Sequence, residues 1–180
     1  HKSDFVRAVR KTGYDVPDSW LEGKTEEKDK VQRDVEKVQE SKMKAYLAWG
    51  LTIPIIAWML PEMFFGLMIG GEVIYNSGMV FLAMPILFYA GRETYSSAIK
   101  SFLNLSPNMD ALIMLGTLSA FSTGVIASLH QFGYGPNILN YGGVAGMIMA
   151  FHLTGRYIEN KAKGRASEAI KKLMTLEAKT

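Results

Sequence analysis

The residues best able to do chemistry are few and sit at the ends of apolar stretches. Glu159 closes one such stretch, with Arg156 three residues before it on the same helical face. Burying an ionisable group in a membrane is costly, so each is a functional candidate, although an interfacial ion pair explains these two equally well. His152, seven residues before Glu159, faces roughly the same way and suits a hydrogen bond inside a bundle first, a metal or proton site second. Met109 and Asp110 open another apolar stretch directly after Ser106, Pro107 and Asn108, where the proline marks a turn. A thioether is a soft ligand that suits Cu(I), and a carboxylate such as Glu159 can join it in a weak, exchangeable site. Packing alone also accounts for one methionine among 11, and Asp110 fits a first-turn charge favourable to the helix dipole. The chain contains no phosphate-binding glycine loop, no paired histidines at metal spacing and no nucleophile with a neighbouring base, so no catalytic residue is assigned in it. The absence of cysteine excludes disulfides and thiolate ligands within this stretch.

The elements that must position these residues follow from the distribution of charge. Of 180 residues, 48% are hydrophobic and 37 are charged; 20 of the charges fall in residues 1–42 and 8 in residues 161–180, leaving 9 between. A soluble domain spreads its charges over its surface, so this partition excludes an ordinary soluble enzyme and predicts an all-α membrane protein with polar ends. Four apolar stretches serve as transmembrane helices: Ala45 to Leu60 extended to Met68, Val73 to Ala90, Ala111 to Leu129, and Ile138 to Ile158. Pro85 bends the second. Beyond Gly91, residues Tyr95, Ala98, Ile99, Phe102 and Leu103 share a face while Arg92 and Lys100 lie elsewhere, which is an interfacial pattern. The second helix is therefore expected to kink at Gly91 and continue as an amphipathic platform; a straight helix with a snorkelling Lys100 is the alternative. Rows of small residues, Gly116, Ala120 and Gly124 in the third helix and Gly142, Gly146 and Ala150 in the fourth, predict a closely packed antiparallel hairpin.

Lys and Arg orient the helices. They precede the first span, follow the second at Arg92 and Lys100, and follow the fourth, whereas loops 61–72 and 130–141 contain none. Positively charged loops stay in the cytoplasm, so both termini are expected there. The net charge of +3 lies beside apolar segments and points to membrane orientation, with no nucleic-acid partner. Lys24 to Lys42 reads as a solvated helix, and a start at His1 with an end inside a charged helical pattern reads as a piece of a longer protein.

Taken in order, Asn108-Met109-Asp110-Ala111-Leu112-Ile113 with Gly116, then Gly155-Arg156-Tyr157-Ile158-Glu159, Lys161-Ala162-Lys163, Arg165 and Glu168 to Leu173, resemble the heavy-metal-transporting P-type ATPases, most closely their Cu(I)-exporting branch. The resemblance covers nearly the whole chain. It implies the following division: residues 1–18 as the tail of a ferredoxin-like metal-binding domain, 19–42 as a charged helical linker, 43–68 as the first transmembrane helix, and 73–103 as the second with its kink and platform. Residues 108–130 and 138–160 would be the third and fourth helices, and 161–180 the start of an actuator domain. It further implies Cu(I) as the transported ion, with Met109 and Glu159 at a cytoplasmic entry site and Asp110 and His152 as possible additional polar groups. Gly91, Arg92 and Lys100 would form the platform, where a cytosolic copper chaperone or the protein's own metal-binding domain docks. ATP and Mg would act in the remaining domains of the same ATPase, outside this chain, and the bilayer would be the cell membrane.

Two positions depart from that pattern. The kink has Ala90-Gly91 instead of paired glycines, and Gly143 stands where many members carry a glutamate associated with ion release. The alternatives are a pump of the same class selecting Zn(II) or Cd(II), which needs harder or mixed ligands, or a non-catalytic four-helix docking module.

Overall fold

The computed structural model describes the backbone of residues 19–177 and the side chains of residues 32–167 and 169; the expected metal-binding-domain tail lies outside them. The described residues are helical, with no strand among them. Five α-helices follow in order: α1 (Ser19–Phe65), α2 (Gly71–Pro85), α3 (Arg92–Leu103), α4 (Met109–His130) and α5 (Gly142–Glu177), with a π-helical turn at Ile86–Ala90 between α2 and α3. The chain divides into two compact units, residues 39–159 and residues 1–38 with 160–180. In the second of these, Ser167 Oγ donates to Asp34 Oδ2 at 2.9 Å.

Three helical stretches in the described residues are long and apolar enough to cross a membrane: Gln32–Phe65, Gly71–Ala90 and Met109–His130. Helix α5 is not among them. Its glycines Gly142, Gly143, Gly146 and Gly155, with His152, Arg156 and Glu159, dilute its apolar character. It also begins at Gly142, four residues later than the sequence suggested, because Asn140 Oδ1 accepts from the Gly142 amide at 2.8 Å and starts the helix there. Helix α1 tolerates Pro54 and Pro61, as membrane helices do, and stops at Gly66. Gly66 adopts φ 65° and its amide donates to Glu62 O at 2.9 Å, a left-handed cap that glycine adopts without steric cost.

The core of the 39–159 unit is narrow and tightly built. Ile55, Met79, Ile86, Leu87 and Met149 are fully buried, and Ala48, Ala83, Ala90, Ala145 and Ala150 fill the gaps between them. Small residues permit this closeness, since lipid offers no hydrophobic drive between helices and packing must supply the attraction. A Cβ on Gly124 would lie 2.9 Å from Gly142 Cα, so α4 and α5 do approach at that point. Gly116, by contrast, faces open space, while a Cβ on Gly143 would lie 2.8 Å from Ile55 Cγ2 and one on Gly146 would lie 3.2 Å from Ile86 Cδ1. The glycine face of α5 thus packs on α1 and the second helical stretch, and the expected glycine-to-glycine seam narrows to a single crossing. Outward, Phe81, Leu112, Ile53 and Phe151 remain exposed, an apolar surface of the kind that a membrane covers.

Candidate functional site

Pro85 ends α2 and has no amide proton to give, and the hydrogen-bond register slips after it: Gly91 N donates to Ile86 O at 3.0 Å across a π turn. Gly91 then leaves helical geometry at φ −82° and ψ 1°, and α3 starts at Arg92. The need for glycine here is space. A Cβ would lie 2.5 Å from Leu87 O and 2.7 Å from Met149 Cε. Helix α3 buries Thr94, Ala98 and Ser101, packs Tyr95 against the core and leaves Ile99, Phe102 and Leu103 exposed, so the face expected for Tyr95, Ala98, Ile99, Phe102 and Leu103 is divided between the protein and the outside. Arg92 and Lys100 are exposed, and Lys100 lines an open groove of about 630 Å³ with Ser96, Ser97, Asn104 and Asn108.

The end of α3 is tied to the start of α4. Ser101 Oγ donates to Ser106 O at 2.6 Å and accepts from Asn108 N at 2.9 Å. Asn108 then caps α4, its Oδ1 accepting from Ala111 N at 3.0 Å, and so fixes where Met109 and Asp110 stand. Met109 is 57% exposed, whereas the Asp110 side chain is only 5% exposed.

Asp110 is the centre of the polar site. Arg156 Nη2 donates to its Oδ2 at 3.1 Å, and His152 Nε2 lies 3.3 Å from its Oδ1 without the alignment of a hydrogen bond. His152 Nε2 also stands 3.1 Å from the hydroxyl of Thr94, which is buried on α3. Arg156 Nη1 lies 3.8 Å from Glu159 Oε2, realising the three-residue spacing. Four of the candidates from sequence are therefore brought together: Asp110, His152, Arg156 and Glu159 form one chain of polar contacts. Met109 joins it by adjacency to Asp110 and makes no hydrogen bond to it among the described residues. Asp110 serves as a cross-helix anchor in addition to its first-turn position, and Thr94 completes the network unannounced by any charge pattern. Its one sequence signal is a hydroxyl among the inward positions of α3.

Among the described residues no three His, Asp or Glu side chains cluster into a group that could hold a metal ion. A histidine, an arginine and two carboxylates in this order can hold charge in place and offer Glu159, whose side chain is 43% exposed, to a cation from outside. A nearby hydroxyl pair, Tyr95 and Thr117, shares a hydrogen bond of 3.0 Å and ties α3 to α4.

No protein-family model matches the chain. Individual relatives do. It is 33% identical to the copper-exporting P-type ATPase of Bacillus subtilis over 99% of this chain and 22% of that protein. Copper-transporting ATPase 1 of Rhizobium meliloti is 33% identical over 96% of this chain and 22% of its own length. The probable copper-exporting P-type ATPase V of Mycobacterium tuberculosis is 41% identical over 53% of this chain and 12% of its own. Over a segment spanning about a fifth of the first two proteins' length, the chain is a relative of the copper-exporting P-type ATPases.

Proposed function

We infer that this chain is the membrane-entry portion of an ATP-driven Cu(I) exporter. In this reading α5 is a fourth span, the chain enters and leaves the membrane on the cytoplasmic side of the cell membrane, and α3 is an interfacial platform reached through a kink at Gly91. Residues 161–180 lead into an actuator domain, residues 1–18 end a metal-binding domain, and ATP and Mg act in the rest of the protein. The observation that carries the reading is the tie between the start of α4 and the end of α5. Arg156 reaches Asp110 across 46 positions, and this brings the neighbours of Met109 and Glu159 into one site.

Cu(I), as the transported substrate, would arrive from a cytosolic copper chaperone or the protein's own metal-binding domain at the platform, where exposed Arg92 and Lys100 attract an acidic carrier surface. The ion would exchange into the Met109 thioether and the Glu159 carboxylate. A soft sulfur and one oxygen make a weak site, which suits an ion that must move on. His152 and Asp110 hold the frame of the site in this scheme.

The test is Cu(I)-stimulated ATP hydrolysis by the full-length protein that carries this chain, under reducing conditions and at buffered free metal. Met109→Leu with Glu159→Gln is expected to lower turnover about tenfold or more at limiting Cu(I). Unchanged turnover would remove both residues from the mechanism. Stimulation by Zn(II) alone would reject Cu(I) as the ion.

A further inference from the structure

Arg156 occupies an unusual position between two carboxylates of unlike environment. Its Nη2 bonds the 5% exposed Asp110 side chain at 3.1 Å, and its Nη1 lies 3.8 Å from the 43% exposed Glu159 side chain. The two contacts use different nitrogens of one planar fork, so both can be held at once. The anchor end is itself fixed: Asp110 stands beside His152, which is 3.1 Å from Thr94 Oγ1, and Asn108 caps the helix that carries Asp110. The Glu159 end is the looser one, longer and more exposed.

We propose that Arg156 is a resident counter-ion of the entry carboxylate, held on Asp110 by one arm and covering Glu159 with the other until Cu(I) displaces that arm. The proposal rests on Glu159 being an entry ligand. A guanidinium keeps its charge at any physiological pH, so Arg156 presents a positive charge to Glu159 throughout. Cu(I) also carries one. For Cu(I) to take the place of that contact, the guanidinium needs only to turn about its bond to Asp110. The competition also keeps the site weak, so the ion is passed inward instead of trapped.

The experiment measures the free Cu(I) concentration giving half-maximal ATP hydrolysis by the full-length protein in five forms: unaltered, Arg156→Gln, Asp110→Asn with Arg156→Gln, Glu159→Gln with Arg156→Gln, and Glu159→Gln. Glu159→Gln alone is the reference for its pair with Arg156→Gln. The paired Asp110 variant guards against a folding defect, since Arg156→Gln alone leaves a buried carboxylate without its partner. Both Arg156 variants with Glu159 intact are expected to lower the half-maximal Cu(I) about two- to fivefold, the range for a partly exposed ion pair. With Glu159→Gln present, Arg156→Gln should produce no further shift. If Glu159→Gln raises the half-maximal Cu(I) while the Arg156 variants leave it unmoved or raise it, the counter-ion role is overturned and the entry role of Glu159 stands. The same fall in a Glu159→Gln background would assign Arg156 a structural role only. If Glu159→Gln alone changes nothing, the entry reading fails and this proposal with it.

Discussion

Asp110 gathers a guanidinium, an imidazole and a helix N-terminus around one buried carboxylate. Replacing it with alanine removes the charge that holds Arg156, but Arg156 is 37% exposed and can turn to water. Screening therefore limits the loss. We expect Asp110→Ala to lower stability by about 1–3 kcal/mol, read as a fall in the thermal unfolding midpoint in detergent. An unchanged midpoint would mean that the pair contributes no net stability. The local half of this network was legible in the sequence: Arg156 and Glu159 are three apart, and His152 lies on their side of the helix. The other half was not, because Asp110 and Thr94 meet their partners 46 and 58 positions away. A first-turn aspartate has a sufficient local explanation in the helix dipole, and that explanation hides its distant partner.

At the level of helices, spacing located the apolar stretches but left their contacts open. Gly116 and Gly124 belong to the same row of small residues, yet only Gly124 meets another backbone, since straight helices crossing at an angle touch closely at one place. The π turn after Pro85 was foreshadowed only as a bend, because nothing in the residue types specifies how far the hydrogen bonds slip. Its glycine gives a sharp test. Gly91→Val places carbon 2.5 Å from Leu87 O and 2.7 Å from Met149 Cε. The backbone oxygen cannot yield as a side chain can, and the variant is expected to lose about 1–3 kcal/mol, measured by thermal unfolding. Gly116→Ala, facing open space, serves as the control.

For the whole molecule, the partition of charge was the most informative feature of the sequence. It separates polar ends from three helices apolar enough to cross a membrane. Helix α5 escapes that criterion because the residues that make it a packing partner and a polar site are the same ones that lower its hydropathy. Topology is tested by single cysteines, since the chain has none of its own. A cysteine at Asn104 is expected to react with an impermeant reagent only from the cytoplasmic side, and one at Asn137 only from the opposite side. Equal labelling of both from one side would overturn the proposed arrangement. Helix α3, finally, touches every other helix of the 39–159 unit through a polar tie or its chain neighbour. Glu93 meets Lys44 of α1 at 2.6 Å, Tyr95 meets Thr117 of α4, Thr94 meets His152 of α5, and Gly91 joins it to the turn after α2. A short amphipathic helix would ordinarily fray independently of its surroundings, but these ties make its opening cooperative with theirs. A load placed on α3 would therefore be shared by the helix bundle as a whole, the way a keystone transmits load to both sides of an arch.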